Sequence, residues 1–131
     1  DTILEETKNI PFILRVREYK DKLWKEYSTK GYIVSPVSKK PISNIESRNK
    51  ILPYLLQSYE TEKNILTLEK IFSFLHSKKS KVVLYCYDSF LLDFCKEDGV
   101  SVLDGVNRIL EEDGFKVSVK HGNSYHKMKI L

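Results

Sequence analysis

The chain is short of the features that would classify it quickly. Its 131 residues include two cysteines, one methionine, one tryptophan, four prolines and five glycines. No apolar run approaches the ~20 residues needed to cross a bilayer, which excludes a membrane-spanning helix. The first residues, DTILEETKNI, have neither a basic n-region nor an apolar h-region, so no secretory signal is visible. They also lack an initiator Met, as expected of a processed chain or a piece of a longer one. Cys86 and Cys95 do not make a disulfide scaffold. If the chain turns at Tyr87-Asp88, Cys86 lies opposite Ser89 and Cys95 opposite Ser80, a poor geometry for a bridge between the two cysteines. A reducing, intracellular setting is expected.

What is present suits a folded domain. Hydrophobic residues make up 41% of the chain, aromatics 11% and charged residues 31%, enough for a core and unlike a disordered composition. The net charge of +4 permits a polyanionic partner without requiring one. No repeat or low-complexity linker interrupts the sequence, so one compact unit is expected over 1–131.

Phe12, Val16, Tyr19 and Leu23 recur at helical spacing between charged residues and predict an amphipathic helix over about 11–29. Pro11 is acceptable in its first turn and Gly31 is a stop. Tyr32–Val37 is β-prone and Ser38–Pro41 looks like a basic turn. An apolar stripe through Leu52, Leu56, Tyr59, Leu68, Phe72 and Leu75 predicts a second helix over about 48–77. Pro53 either kinks it or begins its main part.

The period then changes. Lys81–Tyr87 and Ser89–Phe94 predict two strands joined by a tight turn at Tyr87-Asp88. Ser101 is a candidate cap for a third helix with Val102, Val106, Ile109 and Leu110 on its buried face. Gly105 costs that helix about 1 kcal/mol relative to Ala, and Gly114 is a natural terminator. Phe115, Val117 and Val119 alternate with polar residues as a half-buried strand. The order α, β, α, β-hairpin, α, β predicts an α+β fold, with helices on one face of a small antiparallel sheet.

Asp88 is the leading candidate for chemistry. It interrupts two strongly apolar strands, where a carboxylate is costly unless paired, hydrogen-bonded or metal-bound. From a hairpin tip it would project outward, where a hard cation such as Mg²⁺ can bind through one or two carboxylates while keeping water and phosphate ligands. Turn chemistry alone also accounts for an Asp at this place, and local sequence leaves both alternatives open. Asp93 falls on the other side of a regular strand and is expected to face solvent or an ion pair. His76, His121 and His126 have no metal-ligand spacing, and nothing resembles a phosphate-cradling glycine loop. Basic residues cluster at Lys39-Lys40, at Lys78-Lys79-Lys81, and at Lys116, Lys120, Lys127 and Lys129, where no acidic residue occurs from 116 to 131. These clusters fit either a solvated surface or contacts to a phosphate backbone.

Taken in order, these segments resemble the C-terminal palm region of family A (DNA polymerase I-like) DNA polymerases. Gly31-Tyr-Ile-Val with Lys39-Lys40 resembles the family's Gly-Tyr-Val segment and its Gly-Arg-Arg turn. Ile45-Glu-Ser-Arg-Asn49 resembles the stretch that follows. Leu55-Leu56-Gln57, with Glu62 downstream, resembles the Gln-bearing helix before motif C. Leu84-Tyr-Cys-Tyr87-Asp88-Ser89-Phe-Leu-Leu-Asp93-Phe resembles motif C, the His-Asp-Glu hairpin. Gly114-Phe-Lys-Val-Ser-Val with Gly122 and Tyr125 resembles the closing strand. The likeness covers about residues 11–128, of which about 11–47 would belong partly to the connection from fingers to palm.

The resemblance implies a palm-like fold in which Asp88 helps hold two Mg²⁺ ions that activate the primer 3′-hydroxyl and stabilise the triphosphate. It implies that Gln57 touches the minor groove near the primer end, where acceptors occur on every correct pair. Tyr87 stands where the family has the His that contacts the primer-terminal nucleotide. Ser89 beside it, Lys39, Lys40 and Arg48 become candidate primer-template contacts. The implied partners are DNA primer-template and deoxynucleoside triphosphates, in the cytoplasm of a bacterial or phage-infected cell or in an organelle.

The departures are specific. Tyr replaces His, and Ser89 replaces the Glu after the aspartate. A serine supplies no second carboxylate. Asp-Ser also occurs in single-subunit RNA polymerases, so RNA synthesis stays open, although the Gly-Tyr-Val and closing-strand features favour DNA. The short segment between Asn49 and Gln57 resembles a phage- or organelle-type variant. No motif A aspartate segment and no fingers helix with an Arg-x-x-x-Lys pattern is found. One aspartate cannot hold two metals, so the expectation is a C-terminal piece or one polypeptide of a split polymerase, inactive alone.

Overall fold

The computed structural model describes residues 10–131. They fall into two compact units, one ending at Lys63 and the other spanning Asn64–Leu131. The fold is α+β, as expected. Helix α1 is Pro11–Lys30, strands β1 and β2 are Ile33–Val34 and Pro41–Ile42, and α2 is Arg48–Leu75. Strands β3 and β4, Lys81–Cys86 and Ser89–Asp93, lead to α3, Ser101–Glu111, and to β5 and β6, Lys120–His121 and Lys129–Ile130. The strands form three separate antiparallel ribbons, β1-β2, β3-β4 and β5-β6, instead of the expected sheet.

In the first unit, Pro11 opens α1 and Gly31 closes it at φ +78, donating its N–H to the Tyr27 carbonyl at 2.7 Å. Of the four stripe residues only Leu23 is buried, whereas Phe12 is 70% exposed. The core lies instead at the C-terminal half of α1. There Leu23 joins Ile33, Ile45, Ile51 and Leu55, with Trp24 and Tyr27 packed against them. The N-terminal half of α1 borders an apolar groove with Leu52 and Pro53. Pro53 lies inside α2 and does not begin it. Since the helix starts at Arg48, the ring removes a single hydrogen bond early in the element.

Glu62 ties down the turn between β1 and β2. The fully buried Ser35 donates its hydroxyl to Glu62, and Ser38 donates both its hydroxyl and, at 3.2 Å, its backbone N–H. These bonds, led by the Ser35 hydroxyl, hold the Glu62 carboxyl below its ordinary range.

In the second unit, Ile71, Leu75, Val102 and Val106 form the core. Each such aliphatic side chain, fully buried, contributes about 1.5–3 kcal/mol. Val82, Phe90 and Leu92 bring one face of the β3-β4 ribbon onto this core. The register Cys86↔Ser89 confirms the turn at Tyr87-Asp88, and a bulge falls between Val82 and Leu84. The ribbon's base is held by Ser80, which donates to Asp98 Oδ2 at 2.7 Å and accepts the Cys95 N–H at 2.9 Å. The Ser80 hydroxyl and backbone N–H, with the Lys79 N–H, hold the Asp98 carboxyl low. Both cysteines are free thiols.

Two local expectations fail. Ser101 is the first helical residue of α3, preceded by an uncapped Val100. Residues 115–119 form no strand. Their alternation half-buries Val117 and Val119, but ladder pairing begins only where Lys120 meets Ile130, with the Val119 carbonyl bonded to the Leu131 N–H beside it.

Gly105 shows why α3 accepts a poor helix former. A Cβ there would fall 2.2 Å from Phe74 Cζ, so the Phe74 ring packs directly on the helix backbone. Gly105→Ala is expected to lower stability by about 1–2 kcal/mol in urea denaturation, because overpacking exceeds the gain in helix propensity. The two clamped carboxylates set an acid limit. Their pKa values are lowered on folding, so they add stability above the unfolded value near 4, and lose it as pH falls through the lower folded values. The melting temperature should hold from neutral pH to about 5 and drop below about 4. Glu62→Gln combined with Asp98→Asn should flatten that acid limb.

Candidate functional site

The seven candidate residues divide between the units. Tyr87, Asp88 and Ser89 belong to the second, and Lys39, Lys40, Arg48 and Gln57 to the first.

In the second unit the structure brings three of them together at one hairpin tip. The apolar strands bury one face, and the chain reverses in two residues. Asp88 is therefore exposed, with its carboxylate clear of the packed side chains. Tyr87 has φ +55, the positive sign taken at the first position of the two-residue turns that close hairpins. This region costs a non-glycine residue about 1–2 kcal/mol. The ring recovers none of that through packing, being 87% exposed. Two hydrogen bonds hold the turn. Asn64 on α2 donates its side-chain amide to the Tyr87 carbonyl at 3.3 Å, and Ser89 donates its hydroxyl to the Cys86 carbonyl at 2.8 Å. The tip thus presents an aromatic ring and a carboxylate to solvent on a strained, pinned backbone. Asp93 is exposed at the far end of β4, across from Lys81.

In the first unit the candidates are engaged to different degrees. Lys39 sits in the turn at φ +60, and its ammonium donates to the Pro36 carbonyl at 2.9 Å. Lys40 is exposed, and its charge helps keep Glu62 ionised. Arg48 is committed to Asp21, with Nε donating to Oδ1 at 2.6 Å and Nη2 to the same oxygen. Gln57 is exposed on α2.

Among the described residues, no three or more His, Cys, Asp or Glu side chains cluster as a metal site. Asp88 offers one hard-oxygen ligand. That suits Mg²⁺ held through one or two carboxylates plus water and phosphate oxygens, with the further carboxylate supplied from elsewhere. Glu62, Asn64 and Asp98 were assigned no role from sequence. Each acts on a segment 18 or more residues away, so local pattern gives no signal for them.

Tyr87→Gly tests the strain directly. Glycine takes positive φ freely but adds unfolded-state entropy, so a net gain of about 0.5–1 kcal/mol in chemical denaturation is expected. Unchanged or lowered stability would show that the turn is not strained. No family model, curated protein or solved structure matches this chain.

Proposed function

We propose that the chain is the C-terminal palm part, or one polypeptide, of a template-directed DNA polymerase in which Asp88 is the metal-binding aspartate of motif C. The observation that carries this is the exposed Asp88 carboxylate at the tip of an apolar hairpin whose other face is docked on helices.

Each residue's role follows from its chemistry. Asp88 would supply one oxygen ligand from its exposed carboxylate. Mg²⁺, when bound, supplies the charge that eases ionisation of the primer 3′-hydroxyl and stabilises the leaving pyrophosphate. The Tyr87 ring is free to lie against the primer-terminal nucleotide, and the strained turn fixes its direction relative to Asp88. Gln57 can donate to minor-groove acceptors, and Lys40 can meet a phosphate. Lys39 and Arg48 would have to leave Pro36 and Asp21 to do so. A second carboxylate and a nucleotide-binding helix would come from a segment or polypeptide other than the residues described.

A second reading is a non-catalytic nucleic-acid-binding replication subunit. The Ser89 hydroxyl favours it, because it is spent on the Cys86 carbonyl and supplies nothing at the tip. Primer extension by the assembled enzyme separates the two. Asp88→Asn should abolish incorporation while shifting folding stability by less than about 0.5 kcal/mol, as an exposed substitution does. Full activity in Asp88→Asn would remove Asp88 from the chemistry.

A further inference from the structure

The C-terminal ribbon has features that the Asp88 site does not use. From residue 116 to 131 the chain carries Lys116, Lys120, Lys127 and Lys129 and no Asp or Glu. Elsewhere Lys30, Lys50, Lys70 and Lys79 pair with Glu26, Glu46, Glu112 and Glu97. Among the described residues, none of the four C-terminal lysines reaches a carboxylate. None of the unit's ion pairs involves them, so their ammonium groups are open to an outside anion.

The ribbon is built tightly enough to hold these charges in place. Lys120 pairs with Ile130 and His121 with Lys129, and the Leu131 N–H bonds the Val119 carbonyl at 2.9 Å. The loop closes at Gly122, where a Cβ would lie 2.9 Å from the Lys127 carbonyl oxygen and 3.1 Å from Met128 Cα. On that loop Tyr125 is 62% exposed, with the His126 ring edge-on at 6.1 Å and Lys127 next in sequence. Phe115, 69% exposed, likewise precedes Lys116. Cations alternate with uncovered aromatic faces along one segment.

We propose that the β5-β6 ribbon is a binding surface for single-stranded nucleic acid, with Lys116, Lys120, Lys127 and Lys129 meeting phosphates and Tyr125 stacking on a base. Uncompensated lysines supply the salt-dependent, sequence-tolerant attraction, and any base offers a face to an exposed ring. An anionic membrane fits less well, because the segment presents isolated rings between charges and no apolar helix face. The proposal does not rest on catalysis by Asp88, since the surface would serve a catalytic or a non-catalytic chain alike.

The test is fluorescence-anisotropy binding of the full chain to a labelled oligothymidylate, from about 50 to 200 mM salt. Lys120→Gln combined with Lys129→Gln should weaken binding about tenfold and flatten the log–log salt slope by about 1.4. Tyr125→Ala should weaken it about five- to a hundredfold and leave the slope unchanged. Lys120→Arg with Lys129→Arg should bind like the parent, and because the readout is oligonucleotide binding and not nucleotide incorporation, this outcome stays separate from the polymerase assignment. Unchanged affinity in the Gln pair or in Tyr125→Ala overturns the proposal. So does capture by phosphatidylserine vesicles with no binding to the oligonucleotide.

Discussion

A two-stranded ribbon is marginal in water, because half of its backbone groups face outward and one hydrophobic face cannot close a core. Every strand described here belongs to such a ribbon, and two of the three ribbons are held by side chains outside their own ladders. The β1-β2 turn is held by Glu62, which gathers the Ser35 and Ser38 hydroxyls from more than twenty residues away. The base of β3-β4 is held by Asp98 through Ser80, and its tip by Asn64. In β5-β6 the backbone closes on itself at Gly122. Charged or amide acceptors and donors therefore do the work that neighbouring strands do in a wide sheet. Their strength depends on protonation in a way that a sheet's does not.

This explains how a strained residue survives at the tip of β3-β4. Once Ser80 and Asp98 fix the base and Phe90 and Leu92 fix the face, the two residues at 87 and 88 must reverse the chain whatever their identity. Glycine or asparagine would do so at less cost. Retaining a bulky ring with positive φ in a position that gives it no packing is a loss to folding, and such losses persist where an exposed side chain is used. The case for the hairpin as a site thus rests on Tyr87 as much as on Asp88. An exposed aspartate in a turn is ordinary, whereas an exposed tyrosine forced into the left-handed region is not.

The elements governed by short-range periodicity were legible in the sequence. Both ends of α1, the two strands of the hairpin, its turn and the buried face of α3 follow from spacing within one or two turns. Failures occurred where the outcome depends on a partner. Phe12 and Tyr19 have the spacing of a core stripe, but the unit's other apolar residues pack on Leu23, Trp24 and Tyr27. Val117 and Val119 alternate like a strand, yet alternation specifies a face and not a neighbour. Gly105 reads as a flaw in a helix from local propensity, but the Phe74 ring lies on it. Of the candidate site, the tip triplet could be read from the sequence because its residues are contiguous. The engagement of Arg48 by Asp21 could not, since 27 residues separate them.

The same distinction sorts the cations. A lysine cluster in a sequence is only a count of charge, and its availability depends on which carboxylates the fold brings near. Lys39 and Lys40, the more familiar-looking pair, sit on a turn organised around Glu62. One folds back onto a carbonyl and the other is spent partly on that carboxylate. The C-terminal lysines have no acidic residue in their own segment to fold onto. An anionic ligand approaching the first cluster must compete with Glu62, while one approaching the second has, among the described residues, no ion pair of those lysines to break. Because counterion release drives phosphate binding, the C-terminal lysines form the better polyanion surface although their spacing in the sequence is looser.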